Sequence, residues 1–231
     1  MQTRGGPSAS LGVANMSLLK VCGITRIEDA VAAAGLGYDA VGLVFAESPR
    51  RVRLKQAVEI CSSLPPFILR VGVFAGQDTE EVRAVMERCG LDLVQFHGGI
   101  SAEDAACFAS RAIVALRARI PDDLRLLGDY PGVFAVLMDA WDPVLAGGTG
   151  KTCDWDLAAR AARRARVILA GGLSPANVAR AVARVRPFGV DVSSGVESEP
   201  GVKDQALMRE FARAARDALR AGADEEDSHV G

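Results

Sequence analysis

Eight short apolar runs recur along the chain, and this recurrence constrains the fold more than any other feature. They are "LLKVCGI" (18–24), "AVGLVF" (40–45), "ILRVGVF" (68–74), "LVQFHG" (93–98), "AIVALRA" (112–118), "VFAVLMDA" (133–140), "VILAGG" (167–172) and "GVDVSSG" (189–195). Each is nearly continuous in hydrophobicity rather than alternating, the mark of a parallel strand buried on both faces. Helical patterns lie between them. Thr25-Arg26-Ile27-Glu28 has the form of a capping box opening a helix to about Gly35. Ser174-Pro175 offers an N-cap followed by proline at the first helical position. A last helix is predicted from about Lys203 to Ala221, with Leu207, Phe211, Ala214, Ala215 and Ala218 on one face. The segment "PDDLRLLGDYPG" after the fifth run allows no more than a turn or two.

Eight consecutive strand-and-helix units favour closure into a single α/β domain, a (β/α)8 TIM barrel, over a doubly wound open sheet. The expected boundaries are a loose Gly/Ser/Ala-rich tail over 1–16, the barrel over 17–221 and a polar, acidic tail over 222–231.

Composition narrows the partners. With 49% hydrophobic and 24% charged residues and a formal net charge of −2, the chain has the balance of a soluble globular protein. It carries no concentrated basic arm, so nucleic acid is not an expected partner; the arginines between 158 and 186 fall at helical spacing and read as a solvated face. No apolar run is long enough to cross a bilayer, and the N-terminal stretch has no apolar signal core. Five cysteines, an odd number with no CxxC pair, argue against a disulfide framework and a structural zinc site. The expected location is the cytoplasm, where thiols stay reduced.

In a barrel of this kind the chemistry sits at the C-terminal ends of the strands, so the residues that close each run deserve inspection. Glycine-rich segments follow three late runs: "AGGTGKT" (146–152), "AGGL" (170–173) and "DVSSGVE" (191–197). Glycines there let backbone N–H groups approach an anion, and loops after the seventh and eighth strands are the usual phosphate cradle. "GTGKT" is not a nucleotide-binding P-loop, because Leu145 stands where that motif needs glycine. Asp139 ends the run "VLMDA", where a carboxylate has no evident structural partner in sequence; it is a candidate acid. Arg50 and Arg51 follow the second run and would either clamp a carboxylate, stack on a planar ring, or be solvated surface groups. His97 reads as a packing residue, and Cys61, Cys89 and Cys107 as small buried hydrophobes within helices. Cys22, a lone thiol at the first strand end, reads in isolation as one more packing cysteine.

Taken together, the ordered segments "KVCGIT", "SPRRV", "RVGVF", "VQFHG", "LMDA", "GGTGKTCDW", "LAGGLSPANV" and "RPFGVDVSSGVESEPGVKD" resemble the phosphoribosylanthranilate isomerase family over roughly residues 18–215. The resemblance implies an Amadori rearrangement of an aminoaldose phosphate to an aminoketose in tryptophan biosynthesis, with no metal and no cofactor. It implies Cys22 as general base, Asp139 as general acid, Arg50 against the anthranilate part and Asp191 near the site. It also implies a phosphate held on Gly171, Gly172, Ser194 and Gly195, covered by the loop with Gly147, Gly148 and Gly150. Two departures stand out: the loop before Arg50 is one residue shorter than the family's "PxSPR" form, and Arg51 replaces the aromatic often found next. In the implied chemistry an acid protonates the ring oxygen and a base removes a proton from the carbon beside the imine. Each placed proton transfer is worth about 10²–10⁴-fold. Asp139 has to arrive protonated, which an apolar strand end favours; Cys22 has to reach the thiolate, which the helix start at Thr25 and any nearby cation would favour.

Related barrels fit less well. Indole-glycerol-phosphate synthase would need a strand-end lysine, and a pentose-phosphate epimerase would need metal-binding histidines, of which only His97 and His229 exist. A non-catalytic or differently specific phosphate-binding barrel is the alternative. The expected partner is a small sugar-phosphate substrate, with no nucleic acid and no membrane, for a monomer or weak homodimer.

Overall fold

The structure is a computed structural model that describes residues 17–116, 118, 120–139 and 155–227. The stretch 1–16 and the glycine loop with Gly147, Gly148 and Gly150 lie outside these residues. Eight parallel strands close into one barrel in chain order. They are β1 (Leu18–Cys22), β2 (Ala40–Val44), β3 (Leu69–Phe74), β4 (Leu93–Phe96), β5 (Ala112–Leu116), β6 (Ala135–Asp139), β7 (Val167–Ala170) and β8 (Gly189–Val192). Each falls within one of the eight apolar runs. Closure comes from β8 pairing back onto β1, with Lys20 beside Asp191.

Around the barrel lie α1 (Ile27–Gly35), α2 (Leu54–Ser63), α3 (Thr79–Cys89), α4 (Ala102–Ala106), α5 (Trp155–Ala162) and α6 (Val178–Val185). Between β5 and β6 the connection is a 3₁₀ segment of nine residues, Pro121–Asp129, about three turns at three residues each and so longer than the turn or two expected of that stretch. A small antiparallel hairpin, β9 (Glu197–Glu199) and β10 (Val202–Lys203), follows β8 and leads into α7 (Gln205–Asp227). Among the described residues no helix is long and apolar enough to cross a membrane.

Side chains alternate across each strand, which separates two cores. Leu18, Ala40, Val71, Leu93, Ile113, Leu137 and Ile168 meet inside the barrel. Leu19, Val21, Val41 and Leu43 point outward and pack under the helices. α6 shows the matching pattern, burying Val178, Ala181, Val182 and Val185 as one stripe. Along β1 the inward positions are Leu18, Lys20 and Cys22, so apolar filling gives way to polar groups toward the C-terminal mouth.

Local sequence signals fail at three helix starts, two of them for a long-range reason. The capping box at Thr25 does not form: α1 begins after Arg26, and the Thr25 hydroxyl donates instead to the Gly201 carbonyl on the hairpin. Ser174 and Pro175 lie in a turn before α6, which Asn177 closes by accepting from Ser174 N–H at 2.9 Å. The last helix starts at Gln205 rather than Lys203, because Lys203 belongs to β10 and is drawn into the barrel mouth; the helix also runs past Ala221 to Asp227.

Candidate active site

β1 delivers Cys22 to the mouth as an almost buried thiol, 9% exposed. Room for it is made by Gly42 on β2, where a Cβ would lie 2.8 Å from the sulfur. Beneath it, Lys20 is completely buried, with its ammonium 2.9 Å from Asp191 Oδ2. Burial by itself would lower the Lys20 pKa, but Asp191 and the neighbouring thiol reverse this and hold the ammonium above its ordinary value. For Cys22, burial pushes the thiol up; Lys20 and Lys203 oppose it, Asp191 reinforces it, and the thiol ends above its ordinary range.

The other oxygen of Asp191, Oδ1, is buried and has no hydrogen-bond partner among the described residues. An acceptor left open in this way is costly unless a ligand donates to it. Asp139 closes β6 on the inward face, in register with Ala170 at the end of β7, and is half-buried. Its charge is felt at Asp191, so the two carboxyl groups share the mouth.

The loops after β7 and β8 meet. Gly171 and Gly172 have φ of +82° and +64°, a backbone that side-chain-bearing residues rarely adopt. Asn177, buried, holds this turn to the start of α6 by donating to the Gly172 carbonyl at 2.9 Å. Ser194 and Gly195 form a 3₁₀ turn after β8, and a Cβ on Gly195 would collide with the Leu173 carbonyl oxygen. The structure therefore places Gly171, Gly172, Ser194 and Gly195 side by side at one edge of the mouth.

The two arginines separate. Arg51 turns outward to pair with exposed Glu47 at 3.1 Å. Arg50 reaches in: its side chain crosses Gly23, where a Cβ would be 2.5 Å from Arg50 Cδ, and its Nε and Nη2 donate to the two oxygens of Glu197 at 2.8 and 2.6 Å.

Comparison with known proteins places the chain in a family. Residues 19–214 match the family model described as N-(5'phosphoribosyl)anthranilate (PRA) isomerase. The chain belongs to that family. A relative from Pelobacter propionicus, named N-(5'-phosphoribosyl)anthranilate isomerase, is 47% identical over 203 residues, 87% of this chain and 97% of the relative. One from Azotobacter vinelandii with the same name is 48% identical over 202 residues, 86% and 97% of the two chains. Among solved structures, phosphoribosyl anthranilate isomerase from Thermotoga maritima superposes with a TM-score of 0.79 at 40% identity, covering 87% of this chain and all of that one. A second, a phosphoribosyl anthranilate isomerase in complex with reduced 1-(o-carboxyphenylamino)-1-deoxyribulose 5-phosphate, gives 0.78 at 37% identity, with 87% and 100% covered.

Within this phosphoribosylanthranilate isomerase barrel, four residues at the mouth escape sequence reasoning: Lys20, Asn177, Glu197 and Lys203. Lys20 carried one available signal, a lysine inside an otherwise apolar run. Lys203 looked like the first residue of a helix. His97, expected as a packing residue, is half-buried at the end of β4 with its backbone N–H donating to the Phe74 carbonyl.

Proposed function

We propose that N-(5'-phosphoribosyl)anthranilate binds across the barrel mouth, with Cys22 as the general base and Asp139 as the general acid of its isomerisation. The product is 1-(2-carboxyphenylamino)-1-deoxyribulose 5-phosphate. The observation that carries the reading is the position of Cys22: an inward thiol above a buried Lys20–Asp191 pair, at the end of β1, in a mouth shared with a second carboxyl and two glycine turns.

Each step then has a residue. The phosphate rests on the backbone of Gly171, Gly172, Ser194 and Gly195, which leaves the sugar pointing into the mouth. The loop with Gly147, Gly148 and Gly150 is assigned to cover it, on resemblance alone. Asp139 gives its proton to the furanose ring oxygen, and the C–O bond opens as the nitrogen lone pair moves in, leaving a protonated imine. The Cys22 thiolate removes the proton from the adjacent sugar carbon, and the electron pair moves toward nitrogen to give an enolamine. Tautomerisation to the ketone returns both groups to their starting states. The sulfur carries a proton and forms no bond to carbon, so it needs both the thiolate state and a position within reach of that proton. Asp191 Oδ1, the open acceptor, is assigned a substrate hydroxyl, and Arg50 the anthranilate part.

The reaction consumes no cofactor in this scheme, and no residue of the chain is assigned to a metal. The enzyme is placed in the cytoplasm, in tryptophan biosynthesis, as a monomer or weak homodimer; one solved relative, from Thermotoga maritima, is described as dimeric.

The test is turnover of phosphoribosylanthranilate generated in place from anthranilate, followed as loss of anthranilate fluorescence. The purified chain is expected to remove the signal catalytically, and to do so equally in excess EDTA. No loss above the uncatalysed rate would refute the reading.

A further inference from the structure

The hairpin β9–β10 places two charged residues in the mouth, and both are fully engaged. Lys203 is buried, and its ammonium has three N–H groups and three acceptors: the Cys22 carbonyl at 2.7 Å, the Ser193 carbonyl at 3.1 Å and Glu197 Oε1 at 2.7 Å. One cation thus ties the end of the strand that bears Cys22 to the segment entering the Ser194–Val196 turn. Glu197, half-buried as a residue but with its side chain only 4% exposed, accepts from Lys203 on one oxygen and from Arg50 on both. Two cations around one carboxylate give this three-residue cluster a net charge of +1, suited to an anionic ligand.

The geometry of the Arg50 contact decides what Arg50 has left to offer. A guanidinium has two forked edges. The Nε–Nη2 edge is taken by Glu197, so the end-on Nη1–Nη2 edge and the two flat faces remain. The hairpin itself is fixed to the start of α1: Lys203 N–H donates to Asp29 Oδ2 at 3.1 Å, and the Gly201 carbonyl accepts from Thr25.

We propose that Glu197 and Lys203 are positioning residues for the aromatic end of the substrate. They orient Arg50 so that it meets the ligand with its end-on edge or flat face, and they lock that orientation to the strand end that carries Cys22. The proposal rests on the reading that Arg50 contacts the anthranilate part. Charge-assisted forks of this kind carry geometric specificity, because the acceptor fixes the plane of the guanidinium. Glu197 touches no reacting atom in this account. Its loss therefore weakens binding of the ring more than it slows the proton transfers.

The test is a double-mutant cycle on Arg50→Lys and Glu197→Gln, read as KM and kcat for phosphoribosylanthranilate. Binding of reduced 1-(o-carboxyphenylamino)-1-deoxyribulose 5-phosphate is measured alongside by titration calorimetry. Glu197→Gln is expected to raise KM and the ligand Kd about tenfold, the effect of losing one charge-assisted contact, with kcat within about threefold of wild type. In the Arg50→Lys background the same substitution is expected to change KM by less than about twofold, since contacting residues do not add. If Glu197→Gln does not fold, Glu197→Asp, which keeps the charge and shortens the reach, is expected to give the same split. Additive effects on KM, or a loss confined to kcat, would overturn the proposal. An Arg50→Lys variant with unchanged KM and Kd would overturn the placement of Arg50 itself, and the proposal with it.

Discussion

Lys20 Nζ lies 2.9 Å from Asp191 Oδ2 inside the barrel, one inward step below the thiol of Cys22. A buried ion pair is weak evidence for stability, because desolvating both charges offsets much of their attraction. Its position beneath the proposed base gives it a second consequence. Lys20 sets the charge that the thiol meets from below.

The first prediction concerns pH. Cys22 faces Lys20 on its own strand, Asp191 on β8, Lys203 on β10 and Arg50 from the loop after β2. Burial holds the thiol above its ordinary value, so at neutral pH it is largely protonated and kcat/KM rises with pH as the thiolate forms. Lys20→Met removes a cation that stabilises the thiolate. The sign is fixed: ionisation becomes harder, the rising limb moves to higher pH, and kcat/KM at pH 7.5 falls about tenfold or more. The same change strands Asp191 and costs about 3–5 kcal/mol of stability. Lys20→Met/Asp191→Asn is expected to recover the stability but not the pH profile. A pH series of kcat/KM with urea melts checks both.

The second concerns space around the sulfur. Gly42→Ala puts a methyl 2.8 Å from Cys22 Sγ and 3.1 Å from its Cα, closer than either will tolerate. The thiol is expected to rotate or shift, cutting kcat by about one to two orders of magnitude, in line with the cost of a small misplacement of a reacting group. The overpacking itself costs about 1–3 kcal/mol. Steady-state kinetics and a thermal melt on one preparation separate the two effects.

The third concerns the phosphate edge. At Gly195 a methyl would run into the backbone carbonyl of Leu173, which cannot rotate away as a side chain would. Gly195→Ala therefore has to part the loops after β7 and β8. It is expected to cost about 3 kcal/mol and to abolish stabilisation by inorganic phosphate, measured as the shift of Tm with added phosphate. Retention of the wild-type phosphate shift would place the anion elsewhere.

The strands were legible because each is buried on both faces, so its hydrophobicity is written into a continuous stretch such as "VILA" at Val167–Ala170. Asp139 could be singled out for a related reason, because a carboxylate ending an apolar run stands out against it; Cys22, in isolation one more packing cysteine, took its role from the family resemblance. The supports of the site could not be read this way. Asp191 is 171 residues from its partner Lys20, and the carbonyl that Lys203 holds at Cys22 is 181 residues away. Nothing local distinguishes Lys203 from a lysine opening a surface helix. Thr25 shows the converse, a correct local signal overruled when the hairpin brings the Gly201 carbonyl within reach of its hydroxyl. Arg50 and Arg51, indistinguishable by spacing, are separated by their carboxylates, Glu197 inside and Glu47 outside.

The central claim is that Cys22 and Asp139 move the two protons of the isomerisation. The most direct measurement is the decay of anthranilate fluorescence from phosphoribosylanthranilate, made with Cys22→Ser and Asp139→Asn, each shown by circular dichroism to be folded. Both substitutions are near-isosteric, so binding is expected to survive while kcat falls by about two orders of magnitude or more in each. Wild-type turnover in folded Cys22→Ser would contradict the account, returning Cys22 to the packing cysteines and leaving the base to be sought elsewhere in the mouth.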